Sequence, residues 1–317
     1  FNEAIDAFRT YIQLYPNTPR TDEAYNYLTL AFLNTRNYKD AVESLEKIKN
    51  KDATIKAAYQ KTAYYRGLEL FQNLNFSEAI ELFSLSLQHS TYNQNIAAQA
   101  TYWQAEAYYR TENYTLAAEG YNKFILTPGS FNLPEFLMAH YNIGYAYFKL
   151  KNYDDAIVWF RKFTSLSNDE KTIFVGDSYN RIGDSFFIQR KYWAAIDYYD
   201  KAILIDKIDA DYAAFQRGFS LGLVERPQKK VESLQALLKK DPSSNYIDDA
   251  IFEIAESFMV LNQPIDAKEY YLKIEKEYIG SSYYVKALVQ LGLINYNAEQ
   301  ADRSEEHTSE LQSRLHL

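Results

Sequence analysis

A small residue recurs eight times along this chain inside aromatic-rich segments: Thr29, Gly67, Ala105, Gly144, Gly183, Gly218, Ala255 and Gly292. Twelve residues after each of the first seven stands a second marker: Ala41, Ala79, Ala117, Ala156, Ala195, Lys230 and Ala267. This inner spacing is constant, whereas the interval from one repeat to the next runs from 35 to 39 residues. Two helices in close contact need a fixed offset, because the side chains at the contact set their separation. Connectors between such pairs tolerate insertions. The spacing therefore predicts a stacked array of helical hairpins.

The flanking residues follow the same grammar. Leu45, Phe83, Tyr121, Phe160, Tyr199, Leu234 and Tyr271 stand four residues beyond the second marker, on the same helical face. Turns are predicted at Arg36-Asn37-Tyr38, Asn75-Phe76, Asn113-Tyr114, Asn152-Tyr153, Lys191-Tyr192, Arg226-Pro227 and Gln263-Pro264. Asn suits these turns because it tolerates the left-handed region, and the aromatic beside it can cover the hairpin's open end. Residues 1–16 read as the second half of a repeat, with Ala4 and Phe8 on one face and Pro16 after the helix. With 30 Tyr and 19 Phe in 317 residues, one continuous core is affordable without a second domain.

In Gly144, Tyr147, Tyr153, Ala156 and Phe160 the chain resembles the tetratricopeptide repeat family. The resemblance implies an all-α, right-handed superhelical solenoid of about eight helix-turn-helix repeats. It covers 1–302 as one solenoid: a half-repeat at 1–19, units near 20–53, 54–91, 92–130, 131–169, 170–208, 209–242 and 243–280, and a first helix at 281–297. The units exceed the family's usual length, the closing proline is clear only at Pro16 and Pro242, and Lys230 replaces the packing alanine. The connectors Tyr15-Pro16-Asn17-Thr18-Pro19 and Asp241-Pro242-Ser243-Ser244 resemble those of tetratricopeptide proteins of the bacterial cell envelope. That resemblance favours the periplasm or an outer-membrane association over the cytoplasm. The chain starts at Phe1 within a helical pattern, which reads as a fragment of a longer protein. Residues 303–317 resemble a translated sequencing adapter and are expected to stand outside the fold as a non-native tail.

Composition removes several functions. A formal charge of -8 argues against nucleic acid, which demands a basic face. No apolar run approaches the roughly 18 residues that span a bilayer, and zero Cys excludes thiol catalysis and thiolate metal sites. Outside the tail, His89 and His140 stand alone and read as surface or packing residues. No HExxH, Walker loop or dinucleotide fingerprint occurs, so no cofactor or metal is expected. Gly218 and Gly222 form a GxxxG that signals close helix contact, and the sequons at Asn75 and Asn113 coincide with turns. Asp154-Asp155 and Asp248-Asp249 suit helix N-termini.

What remains is a surface. In stacked hairpins the first helices line the concave side, and residues three before and four after the small marker share one face. Aromatics dominate that face from 64 to 187. The partner-binding candidates are Tyr64, Phe71, Tyr102, Tyr109, Tyr141, Tyr145, Phe148 and Phe187, expected to form a partly exposed strip for an extended or helical peptide. Glu106 and Glu112 nearby favour a basic ligand. The Lys and Asn positions by which family members hold a chaperone's terminal carboxylate carry Tyr64, Tyr102, Leu68 and Glu106 among others, so that activity is not expected. The expectation is a non-catalytic interaction scaffold for a protein or peptide partner in envelope assembly. The alternatives are an interaction module of a signalling protein whose effector domain is missing, and an α-helical sugar-binding enzyme. The last is disfavoured because no carboxylates converge.

Overall fold

A computed structural model describes residues 1–169, 171–207 and 209–315, with side chains described as far as residue 300. Among the described residues there are sixteen α-helices and no strand. They form two compact units that divide between Leu166 and Ser167.

The first unit holds α1 (Asn2–Leu14), α2 (Thr21–Asn34), α3 (Tyr38–Lys47), α4 (Ala53–Gln72), α5 (Phe76–Leu87), α6 (Gln94–Arg110), α7 (Tyr114–Leu126), α8 (Glu135–Lys149) and α9 (Tyr153–Leu166). The second holds α10 (Ile173–Ile188), α11 (Tyr192–Ile205), α12 (Ala210–Leu223), α13 (Pro227–Lys240), α14 (Ile247–Val260), α15 (Pro264–Glu277) and α16 (Tyr284–Leu315). Each of the first seven small markers lies on the first helix of a hairpin and each second marker on the second, while Gly292 lies on α16.

The reason for the small marker is visible at the contact. A Cβ added at Gly67, Gly144 or Gly183 would stand 2.8, 2.8 and 2.6 Å from the rings of Phe83, Phe160 and Tyr199. At Gly218 it would stand 2.5 Å from Leu234. The marker is thus the socket for the residue sixteen positions later, while the alanine between them is buried beside it. In α6 and α7 the marker is Ala105, and the room is made on the other helix: a Cβ on Gly120 would lie 2.8 Å from that of Ala105.

Lys230 departs from the alanine pattern with a compensation. A Cβ at Gly222 would meet Lys230 Cδ at 2.8 Å, so the missing side chain at 222 houses the lysine stem. Of the two glycines in the GxxxG, Gly218 serves helix contact and Gly222 serves Lys230.

The turns require one correction. The left-handed residue is the one before Asn37, Asn75, Asn113, Asn152, Lys191, Arg226 and Gln263: Arg36, Leu74, Glu112, Lys151, Arg190, Glu225 and Asn262, each with φ between 56° and 63°. The next N–H then reaches back five residues, as in Asn37 to the carbonyl of Phe32 and Asn113 to that of Tyr108, both at 2.9 Å. This bond closes the first helix in the Schellman manner. The Asn itself has φ of −87° at 37 and at 75, and −81° at 113. It starts the second helix instead: Asn37 Oδ1 accepts from the Asp40 N–H, and Asn152 Oδ1 from that of Asp155.

Helix α16 runs to Leu315, so the backbone of 303–315 continues a helix that the sequence reading ended near 297. The side chains of 301–315 and residues 316 and 317 lie outside the described residues. With them lies the expectation that 303–317 makes few contacts.

Candidate functional site

The aromatic face resolves into rings with different work. Four residues past the marker, Phe71, Tyr109, Phe148 and Phe187 each pack edge-on against the ring at the hairpin turn: Phe76, Tyr114, Tyr153 and Tyr192, with centroids 5.2–5.6 Å apart. They clasp the turn and are half-buried. Three residues before the marker, two of the three candidate rings turn inward. Tyr64 and Tyr102 are only 4% and 7% exposed, lying against Phe83 and against Tyr121 and Phe124. The expected strip is therefore interrupted: these two belong to the core. Seven residues keep the azimuth but move about 10 Å along the axis, to a depth where other helices close over the ring. Phe187 lies in the second unit and the other seven candidates in the first.

A second pattern decides where polar groups enter. Where the residue after the marker is acidic, the ring at the socket is tyrosine: Glu106 with Tyr121, Asp184 with Tyr199, Glu256 with Tyr271. In each case the phenol O–H donates to the carboxylate. Where the residue after the marker is Leu30, Leu68, Tyr145 or Phe219, the socket holds Leu45, Phe83, Phe160 or Leu234. A buried hydroxyl needs an acceptor, and here the acceptor is built into the facing helix. Burial, then the neighbouring Glu106, pushes the Tyr121 hydroxyl well above its ordinary value, so it remains a donor.

Three of the candidates converge in the first unit. A cavity of about 250 Å³ is lined by Glu106, Tyr109 and Arg110 of α6, Tyr121 of α7, and Tyr141, Asn142 and Tyr145 of α8. The Tyr141 and Tyr145 rings meet edge-on at 5.0 Å. Glu106 Oε2 accepts from Tyr121 at 2.5 Å and from Asn142 Nδ2 at 3.2 Å, and Asn142 also donates to Tyr102 Oη at 3.2 Å. The other oxygen, Oε1, receives Arg110 Nε at 3.1 Å, with the Glu106 side chain 13% exposed and that of Arg110 56%. Burial raises the Tyr102 phenol, as do the negative charges of Glu106 and then Glu135. Glu112, expected to add to this charge, is instead the exposed left-handed residue of the turn.

The second unit carries a groove at the same repeat positions. Phe219, Gly222 and Leu223 of α12 face Glu253 and Glu256 of α14 around a cavity of about 590 Å³, with Lys230 of α13 among its lining. Lys230 Nζ pairs with Glu253 and stands 5.7 Å from the centroid of the Phe219 ring.

The isolated histidines have packing roles. His140 is buried, with Nδ1 2.9 Å from the Phe136 carbonyl and its ring near Phe136 and Trp159. Burial lowers its pKa. Among the described residues no three His, Cys, Asp or Glu gather as metal ligands, and no helix is long and apolar enough to cross a membrane.

Tyr121 and Asn142 were not singled out as site residues from sequence, although the pairing of acid and tyrosine fifteen residues apart was present there. Comparison with known proteins agrees with the hairpin geometry. The tetratricopeptide repeat family matches at residues 64–132, 138–162 and 176–209. The chain is a tetratricopeptide-repeat protein. Such repeats are a frame for binding protein or peptide partners. No curated protein matches its sequence. Among solved structures it is similar to the C-terminal part of a tetratricopeptide repeat protein from Cytophaga hutchinsonii, with 13% identity over 84% of this chain and 99% of that one and a TM-score of 0.58. It is also similar to MamA from Desulfovibrio magneticus (15% identity, 59% and 97% covered, TM-score 0.48) and to YrrB, described as having an unusual peptide-binding site (17%, 65% and 93%, 0.48). At these identities the likeness is one of fold.

Proposed function

We propose that this chain is a non-catalytic scaffold that holds a protein segment against the first helices of the 1–166 unit, in the assembly of a bacterial envelope. The observation that carries the reading is the convergence of Tyr109, Tyr141 and Tyr145 around Glu106 in one open cavity. Tyrosines offer a large contact face with little side-chain entropy to lose, and each carries a hydroxyl for orientation. The Cytophaga protein's likeness supports the fold on which such a face is displayed. The envelope compartment, periplasmic or outer-membrane associated, rests on the Pro-containing connectors around Pro16 and Pro242.

The test is site-specific photocrosslinking in the source cells. A photoreactive phenylalanine analogue at Tyr145 should trap a discrete partner that fractionates with the envelope, while the same group at the exposed Leu116 of α7 should trap none. Equal trapping from both positions would move the binding surface away from this cavity. A partner found only in the cytosolic fraction would remove the envelope assignment.

A further inference from the structure

The two equivalent grooves differ in what fills them. In the second unit the chain places its own lysine there: the Lys230 stem occupies the room left by Gly222, and its ammonium lies by the Phe219 ring and on the Glu253 carboxylate. In the first unit the residue at the Lys230 position is Ala117, and the groove between α6, α7 and α8 stays open. Its walls keep the same ingredients, aromatic faces and a carboxylate, in a different order.

We infer that the first unit's groove receives a lysine side chain of a bound protein segment, its stem against Tyr109, Tyr141 and Tyr145 and its ammonium on Glu106. The inference rests on the scaffold reading above and names what that scaffold grips. Aromatic faces attract a cation through the ring quadrupole, and a carboxylate set among them fixes its position. Glu106 is held in place by Tyr121 and Asn142 through Oε2, so Oε1 is already aimed when the ligand arrives. The Arg110 guanidinium on Oε1 is more than half exposed, and so loose a pair is readily exchanged. Glu135 adds a second negative charge near Tyr102, so an acidic side chain is repelled from the same place.

The probe is a display library of twelve-residue random peptides selected on the full chain. Lysine should be enriched at one fixed position of the recovered peptides. In the best of them, lysine to norleucine should weaken binding about tenfold or more. In the Glu106→Gln protein that same replacement should cost little further, because Gln keeps an acceptor for Tyr121 but removes the charge. Tyr145→Ala should weaken the peptide comparably while leaving the circular dichroism unchanged. Recovered peptides with no lysine preference, or a norleucine penalty that persists undiminished in Glu106→Gln, would overturn the inference while leaving a peptide scaffold in place. Recovery of no peptide above an unfolded-protein control would remove the scaffold reading together with it.

Discussion

The groove of α6–α8 and the groove of α12–α14 occupy the same positions in the repeat and have opposite contents. The first is walled by tyrosines and open over Glu106; the second has lost the ring at Gly222 and taken in Lys230. The backbone grammar is common to both, since the left-handed turn residue, the socketed side chain and the capping bonds recur in each hairpin. What differs is confined to a few side chains on the groove. A repeat frame therefore fixes where a site can be, and side chains one and four residues past the marker decide what it holds.

Six substitutions sharpen or break that contrast. The largest effect is expected at the acid–tyrosine pairs. Asp184 accepts from Tyr199, Tyr212 and Arg181, and is itself buried. Asp184→Ala removes the acceptor of both phenols and one of the two carboxylates that pair with Arg181, the other being Asp177, and should cost about 3–5 kcal/mol. Glu106→Ala, nearer the surface, should cost about 1–3 kcal/mol. Equal losses in urea unfolding would mean that the first unit's carboxylate is as structural as the second's.

Next comes Lys230. Its replacement by Ala leaves Glu253 without its partner in the groove and should cost about 1–3 kcal/mol. A neutral result would show that the ion pair is incidental to how the groove closes.

The pH response should also separate the units. Burial lowers His140 below its ordinary 6.5, so the unfolded chain takes up that proton first. The stability His140 contributes is present above pH 6.5 and lost as pH falls through its folded value. Burial raises Asp184 above 3.8, giving the opposite sign: its contribution is present below 3.8 and lost as pH rises through the folded value. Between pH 7.5 and 5.5 the wild type should lose more of its urea midpoint than His140→Phe does. Parallel loss in the two proteins would clear His140 of the effect.

The smallest effect belongs to the turns. A side chain in the left-handed region costs about 1–2 kcal/mol relative to the right-handed one, part of which glycine recovers. Glu112→Gly should stabilise by up to about 1 kcal/mol, and Asn262→Gly by less, because Asn already tolerates the region. A loss at Glu112→Gly would show that the Glu side chain has a role the backbone geometry does not reveal.

These contrasts also mark what the sequence made legible. The hairpins were readable because Gly67, Gly144 and Gly183 obey a spacing that packing alone imposes. The left-handed turn was not, because Arg36, Leu74 and Lys151 carry no preference for that conformation and the adjacent Asn37 and Asn75 do. The sequence pattern placed Tyr64 and Tyr102 on the right azimuth but said nothing of depth along the helix, which is where burial is decided. Glu106 was legible as an acid near the rings. Its clamp by Tyr121 and Asn142 required knowing which helices face one another, although the switch from Phe83 and Leu68 to Tyr121 and Glu106 was a usable sign.

The central claim, that the two grooves are one repeat position with interchangeable contents, is tested most directly by transplanting the lysine. Equilibrium urea unfolding is measured for Ala117→Lys, Tyr109→Gly and the pair together. Lysine alone overpacks the fully buried Ala117 position and should cost about 3 kcal/mol. With glycine at 109 providing the room that Gly222 provides for Lys230, the pair should be less destabilised than the sum of the single changes by about 2 kcal/mol. Additive losses would contradict the account, because they would show that the two grooves share a register but not a geometry.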